Sequence, residues 1–294
     1  MASFESWHSR LGHVGFDVIS MLKNNGLISF TSVLPKPGIC TSCELAKYKR
    51  LPFVSNNKRS SSPLDLIHCD LWGPSPVKSV GNYLYYATFV DDFSRFKWLY
   101  PLKTKSEFVD VLSVFLPFVQ NQFSAKVKIF QSDGGTEFTN HKVRQLFEQN
   151  GTFHRISCPY TPQQNGRVER KHRHIVETGL AMMFHAKIPA NFWVDAFSSA
   201  VYIINRVPST LLGGKSPFEL LYNRPPDYSM FRSFGCRVFP CLRDYTIHKL
   251  APRSIPCIFI GYCFKYKGFK CLDPSTSRVY VSRNAKFDEL SFPL

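Results

Sequence analysis

Three carboxylates in this 294-residue sequence stand where a divalent cation would find ligands. Asp70 lies near the end of an apolar run, His68-Cys69-Asp70-Leu71-Trp72. Asp133 closes a second such run and precedes two glycines, and Glu169 opens a basic helix that follows a loop. Strand-end carboxylates converging with a helix carboxylate supply the hard oxygens that Mg2+ or Mn2+ prefers. A pair of such ions can clamp the attacking and leaving oxygens of a phosphodiester. Asp133 and Glu169 are separated by 35 residues, room for a helix, a strand and a loop. Plainer roles compete: an Asp before Gly-Gly commonly shapes a turn, and a Glu in a first helical turn commonly complements the helix dipole. Asp91-Asp92 and Glu137 are rival metal ligands, and the residues alone leave that choice open.

A second set has zinc chemistry. His8 and His13 are separated by four residues, and Cys40-Thr41-Ser42-Cys43 begins 26 residues beyond His13. Zinc takes four tetrahedral N/S ligands, and a two-residue gap lets both thiolates reach one ion. A lone CxxC also serves as a redox motif. Here the surrounding 60 residues carry little apolar stock, chiefly Trp7, Leu11, Val14, Phe16, Val18, Ile19, Leu22 and Leu27. So small a core needs a staple, and His8, His13, Cys40 and Cys43 as a structural zinc site supply one.

Around Glu169 the chain reads Gly166-Arg167-Val168-Glu169-Arg170-Lys171-His172-Arg173, four cations within about a turn of the acid. Helical spacing puts Arg173 on the Glu169 face, while Val168, Ile175, Val176, Gly179, Met182 and Met183 make an opposite, core-type stripe. Such charges can be a solvated ion-pair face of little energetic weight. In a chain of net charge +16, phosphate-positioning by Arg167, Arg170, Lys171 and Arg173 is the better account.

The elements that must position these groups follow from periodicity. Residues 1–60 read as a small helical unit and 51–63 as a Ser/Asn/Lys/Arg-rich linker. Strands are expected at 64–72, 83–90, 96–102, 127–131 and 152–157, with helices at 106–123, 138–150, 167–185 and 191–207. Gly151 stops the second helix, and Cys158–Gly166 is a Pro/Gln/Gly loop. That order describes an α/β domain on a mixed sheet. Apolar runs at 236–242, 255–263, 268–272 and 278–282, broken by turn residues, predict a small all-β barrel or sandwich.

Charge follows the same division. Residues 1–60 carry a net +5, residues 61–220 only +4, the join at 221–235 +1, and residues 236–294 +6. Basic ends around a nearly balanced centre suit polyanion gripping at the flanks and chemistry between them. That balance disfavours a small neutral-substrate enzyme. Met1–Arg10 has no signal-peptide core and no run approaches a membrane span, so an intracellular chain is expected. Nine cysteines without a signal peptide favour thiols or metal ligation over disulfides.

The order of motifs resembles the integrase region of copia-type LTR-retrotransposon Pol polyproteins. The segments that carry the resemblance are WHSRLGH (7–13), CTSCELAKYKRLPF (40–53), LDLIHCDLWGP (64–74), FVDDFSRFKWLYPLK (89–103), QSDGGTEF (131–138) and CPYTPQQNGRVERKHRHIVE (158–177). FWVDAFSSAVYIINRVPS (192–209), FGCRVF (234–239) and the stretch 257–289 extend it over nearly the whole chain. The resemblance implies three parts: a His-His-Cys-Cys zinc domain of the GAG-pre-integrase type (1–55), an RNase H-like catalytic core (56–220), and a linker with an SH3-like barrel (221–294). It implies an Asp, Asp, 35-residue gap, Glu set at Asp70, Asp133 and Glu169, displacing Asp91, Asp92 and Glu137.

The implied function is a DNA strand transferase using two Mg2+ or Mn2+ ions. It would process 3′ ends of element DNA, then direct the 3′-OH at target DNA. Double-stranded DNA, a homo-oligomer, other Pol products and a nuclear site of action are the implied partners and place. Family members usually continue past the position of Leu294, so a fragment of a longer polyprotein is expected. The alternative is a non-catalytic DNA-binding remnant or domesticated module that keeps the fold. A plain Mg2+ nuclease is less suited, because zinc domain and barrel have no role in simple hydrolysis.

Overall fold

In the computed structural model, residues 2–30, 39–47, 59–158, 166–245, 248, 250–263 and 266–293 are described, with backbone alone at 166–169 and 244. The chain divides into two compact units, Met1–Asn56 and Asn57–Leu294. The predicted loop at 159–165 and the first part of the predicted linker, 51–58, lie outside the described residues.

The first unit is three short helices, α1 (Phe4–Arg10), α2 (Phe16–Asn24) and α3 (Thr41–Lys47). Ser3 caps α1, its hydroxyl accepting the Ser6 N–H. The expected thinness of the core holds in a sharper form. Of the eight apolar residues expected to fill it only Ile19 is buried, joined by Phe4, which touches the Phe16 and Phe30 rings. The two apolar side chains buried among the described residues of this unit contribute about 1.5–3 kcal/mol each, a thin core for three helices.

The second unit is built on two sheets. Strands β1 (Leu66–Trp72), β2 (Tyr85–Asp91) and β3 (Lys97–Leu102) form an antiparallel meander. Helix α4 (Phe108–Phe123) then crosses to β4 (Ile129–Ser132), which runs parallel to β1. Helices α5 (Thr136–Thr139) and α6 (His141–Asn150) lead to β5 (Phe153–Ile156), parallel to β4, for a sheet order β3-β2-β1-β4-β5. The single helix expected at 138–150 is thus two. Asn140 breaks it with an extended backbone, and its side chain caps α6 by accepting the Val143 N–H. Leu64 likewise does not extend β1: it adopts φ 65° and sends its N–H to Asp91 Oδ1 at 2.8 Å.

Alternation along β1 decides which residues meet which helices. Ile67, Cys69 and Leu71 face a core with Ala87, Phe89, Phe115, Phe130 and Phe147, where Phe89 and Phe115 stack at 4.2 Å. Asp70 and Trp72 face the opposite way, under α7 (Gly166–Ala186) and α8 (Trp193–Ile204). Trp72, Tyr86, Trp193 and Phe197 pack there ring on ring. Gly179 lets α8 approach, since a Cβ at that position would lie 2.3 Å from the Phe197 ring.

After α9 (Pro217–Tyr222) the chain enters the second sheet: β6 (Arg237–Pro240), β7 (Cys257–Cys263), β8 (Gly268–Leu272), β9 (Val279–Ser282) and β10 (Ala285–Asp288). It is antiparallel throughout, in the order β10-β6-β7-β8-β9, and encloses Val238, Phe259, Phe269 and three buried cysteines, Cys236, Cys257 and Cys271. Strand β10 is absent from the sequence expectation, because four residues reading Ala-Lys-Phe-Asp carry too little β signal. Helix α8 serves both sheets: Trp193 and Phe197 reach toward β1 and β2, while Tyr202 stacks on Tyr262 of β7 at 3.8 Å. Asp195 on α8 accepts Lys270 Nζ from β8 at 2.8 Å. Gly261 makes this approach possible, because a Cβ there would fall 2.2 Å from Ser199 Oγ and its φ is +123°. Among the described residues, no helix is long and apolar enough to cross a membrane.

Candidate active site and metal-binding groups

Strand pairing brings two of the three expected carboxylates together. β1 and β4 pair in parallel as Leu66 with Ile129, Ile67 with Phe130 and His68 with Gln131. Carried two residues further, that register sets Asp133 beside Asp70. The influence of Asp70 on Asp133 is visible in the protonation chemistry of Asp133. Partial desolvation pushes the Asp133 carboxyl above its ordinary range, and the charges of Asp70 and Glu137 add to it, against the Gly135 N–H and Lys105. Buried Cys69, the residue before Asp70 on β1, has its thiol pushed up by burial and then by the same two aspartates.

Local geometry shapes the rest of the site. Asp133 Oδ1 accepts the Gly135 N–H at 3.0 Å. A Cβ on Gly135 would meet Glu137 Oε2 at 2.8 Å and Asp133 Oδ1 at 3.1 Å, so only glycine leaves this cradle open. Glu137 is itself engaged, accepting Lys105 Nζ at 2.8 Å. Opposite Asp70 on β2 stands Thr88, whose hydroxyl is buried with no hydrogen-bond partner among the described residues. Crowded carboxylates, an all-oxygen donor set and an orphaned hydroxyl fit a hard divalent cation. Asp70 and Asp133 are the residues that would hold it. Glu169 falls on α7, and its side chain, like that of Arg167, lies outside the described residues.

The rival acids have other work. Asp91 is fully buried and accepts from Leu64 N, Ser94 N and Ser94 Oγ, which fixes the β2–β3 turn. Asp92 is equally buried and holds Arg95 at 2.7 Å, His68 at 3.3 Å, and both the N–H and hydroxyl of Ser60. The Ser60 contacts mean that the predicted linker is tied to the sheet by that residue.

Helix α7 adds a residue the sequence reading passed over. His172 is buried, with Nδ1 3.0 Å from the Tyr86 hydroxyl and Nε2 3.5 Å from Asp70 Oδ2. Burial, reinforced by Asp70, raises the Tyr86 phenol far above its usual range, so it keeps its proton. Donating that proton to Nδ1 leaves the Nε2–H 3.5 Å from Asp70 Oδ2, near the carboxylate but without a hydrogen bond among the described residues. The signal was present: positions 172, 175, 179 and 183 share one buried face, and a histidine in an otherwise apolar stripe asks for a partner. Of the expected phosphate-binding cations, Arg170 and Arg173 are exposed and Lys171 is half-buried.

In the N-terminal unit the four expected zinc ligands converge. One nitrogen or sulfur atom from each of His8, His13, Cys40 and Cys43 lies within 4.8 Å of the others, the one such group among the described residues. Cys43 Sγ is 3.3 Å from His8 Nε2, and Cys40 Sγ is 3.5 Å from His13 Nδ1. Gly12 and His13, at φ 73° and 61°, fold the chain back after α1 and bring the two imidazoles to 4.7 Å. His8 Nδ1 donates to the Val14 carbonyl at 2.9 Å, which orients the ring and frees Nε2 as a ligand. The Cys43 N–H and then His8 lower the Cys40 thiol to about 6, a ligand ready as thiolate. This donor set fits tetrahedral zinc.

Known proteins align with this architecture part by part. A GAG-pre-integrase domain matches residues 1–48, an integrase core domain 60–162, and a retroviral polymerase SH3-like domain 236–294. A retrovirus-related Pol polyprotein from transposon RE2 of Arabidopsis thaliana is 42% identical over 99% of this chain. Its counterpart from transposon TNT 1-94 of Nicotiana tabacum is 37% identical over 98%. The chain spans only 20% and 22% of the length of these curated relatives. Among solved structures, the cryo-EM structure of the simian T-cell lymphotropic virus intasome in complex with PP2A regulatory subunit B56 gamma contains a chain of like fold. That match has a TM-score of 0.53 at 16% identity and covers 98% of this chain and 96% of the other. With all three domain models in order and plant transposon polyproteins matched along nearly all of this chain, the chain belongs to the integrase region of copia-type retrotransposon Pol polyproteins.

Proposed function

We propose that this chain is a DNA strand transferase that trims the 3′ ends of element DNA and directs the freed 3′-OH at a phosphodiester of target DNA. The observation that carries the reading is the approach of Asp70 on β1 to Asp133, the residue just past the end of the parallel neighbour β4, with Glu137 and Gly135 beside it. Asp70, Asp133 and Glu169 would hold the catalytic Mg2+ or Mn2+. When bound, a pair of such ions supplies the positive charge that offsets oxyanion charge in an in-line phosphoryl transfer. The His172 ring, held by the Tyr86 hydroxyl, flanks the Asp70 carboxylate, whose Oδ1 accepts the Leu71 N–H. Arg167, Arg170, Lys171 and Arg173 grip phosphates and set the DNA in register.

The division of labour we infer runs along the chain: a zinc-stapled domain to about 55, the catalytic core to about 220, then the basic barrel. Zinc at His8, His13, Cys40 and Cys43 would be structural. Joining two DNA ends to one target calls for a homo-oligomer acting in the nucleus, with other Pol products as partners in the parent element. The direct test is a strand-transfer or disintegration assay with Mn2+ or Mg2+. Wild type is expected to join DNA and Asp70→Asn to lose it with folding intact. Equal activity in both overturns the carboxylate assignment. DNA binding with no joining in either favours the non-catalytic remnant.

A further inference from the structure

A second cationic site lies on another side of α7 from His172. A cleft of about 840 Å3 is lined by Arg59, Arg95, Lys97, Arg170, Lys171 and His174. No carboxylate lines it among the described residues. Asp92 is engaged with Arg95, and Glu177 acts on His174 from α7. Facing the cations is an aliphatic wall that includes Ile203, Val207, Leu211 and Leu212.

Two features mark this cleft as built. Lys97 is 2% exposed, and among the described residues no hydrogen bond or ion pair reaches its ammonium. Its backbone is fixed from both sides by Asn205, whose Oδ1 accepts the Lys97 N–H at 2.9 Å and whose Nδ2 donates to the Lys97 carbonyl at 2.8 Å. Arg59 is the second feature. Its Nε donates to the Phe93 carbonyl and its guanidinium lies over the Phe93 ring, yet its Nη2 is buried with no hydrogen-bond partner among the described residues. A buried cation without a counter-ion is costly, and a methionine would fill the Lys97 position with no such penalty. An anion entering the cleft removes the cost at both residues.

The shape selects the anion. A duplex presents its phosphates on a broad convex rod and cannot bring one to a lysine this enclosed. An unpaired strand can, and narrow cationic grooves with an apolar side are how such strands are held. Guanidinium forks suit phosphate oxygens. The volume matches a nucleotide-sized occupant.

We propose that this cleft binds the phosphates of an unpaired nucleic-acid strand, with its sugars and bases against the aliphatic wall. The proposal rests on the nucleic-acid reading above but uses none of Asp70, Asp133 or Glu169. Burial, then Lys171, already holds the Lys97 ammonium well below the usual lysine range, as expected of a cation waiting for its counter-charge.

The experiment is fluorescence anisotropy on the full chain with a short oligothymidylate and a blunt duplex, comparing wild type, Lys97→Met and Leu211→Glu. Leu211 is 85% exposed, so that variant keeps the fold while placing a negative charge on the cleft wall. Both variants are expected to bind the oligothymidylate about tenfold more weakly, the loss of roughly one charge-assisted contact, with duplex affinity unchanged. Unchanged oligothymidylate affinity in Leu211→Glu, or an equal loss for duplex, overturns the assignment. Displacement of the strand by an equivalent concentration of ATP makes free nucleotide the occupant and also overturns it. Failure of wild type to bind either nucleic acid sinks the function proposed above instead.

Discussion

His172 Nε2 stands 3.5 Å from Asp70 Oδ2 while the same ring's Nδ1 meets the Tyr86 hydroxyl at 3.0 Å. The relay runs from a phenol sealed in the aromatic cluster to a carboxylate at its edge. Removing the hydroxyl should therefore reach Asp70 without touching it. Tyr86→Phe and His172→Ala are expected to lower strand transfer by about 10–100-fold, the range for partners that orient a metal ligand. The loss should be offset in part by higher Mn2+. A metal titration of the joining rate checks this; equal loss at every Mn2+ concentration would point to a packing defect alone.

Asp133 is raised by partial desolvation and by the charges of Asp70 and Glu137, so its ionised form is disfavoured until a cation arrives. Mg2+ or Mn2+ should raise the melting temperature of wild type and leave Asp70→Asn and Asp133→Asn nearly unmoved. The sign with pH follows from the raised value. The folded chain binds more protons than the unfolded one between the ordinary and the raised pKa, so this group's penalty appears as pH rises through that window. Asp133→Asn should consequently be the more stable protein at neutral pH without metal, an advantage that fades on acidification. Scanning calorimetry across pH tests both statements.

Chelation should act on the N-terminal unit alone. With Phe4 and Ile19 as its buried apolar side chains, that unit depends on the His8, His13, Cys40 and Cys43 tie. A strong zinc chelator, or Cys43→Ser, is expected to remove the ellipticity of α1 to α3 and leave the melting of residues 57–294 in place. Unchanged helix content with one mole of metal lost would make the site ornamental to folding.

Lys97 gives an opposite pH signature. Its folded value lies well below the usual one because of burial and Lys171, so the unfolded chain binds the extra proton in the interval between them. Stability should rise with pH through that interval, and Lys97→Met should flatten the rise. At neutral pH the variant is expected to melt about 2–4 °C higher than wild type. A lower melting temperature would mean that the ammonium is satisfied in the folded chain.

Gly261→Ala tests the contact between α8 and the second sheet. The new Cβ would overlap Ser199 Oγ from a φ of +123°, and a loss of about 1–3 kcal/mol is expected. Chemical denaturation reads it directly; pairing the change with Ser199→Gly should recover the steric part and leave the backbone strain.

Much of this fold is legible in order and spacing. Alternation and turn residues announce β1, β2 and β3, and the His8, His13, Cys40 and Cys43 cluster is readable because two weak pairs share a segment with little apolar stock. The carboxylates are harder. Asp70 and Asp133 are neighbours only through the parallel β1–β4 register, a non-local pairing that neither segment signals alone. Asp91 and Asp92 look equally suited to metal until their backbone and Ser94, Ser60 and Arg95 partners are seen. The Lys97 cleft was not readable either, since its cations come from β3, α7, the β2–β3 turn and the segment before β1.

Helix α8 is shared between the sheets: Trp193 and Phe197 are committed to one, and Asp195, Ser199 and Tyr202 to the other. The two sheets are therefore not interchangeable modules on a string. A barrel grafted from a distant element would have to bring its own α8, and that helix would then misfit the catalytic sheet beneath it. Recombination between such elements should leave viable junctions before residue 57 far more often than between 193 and 263.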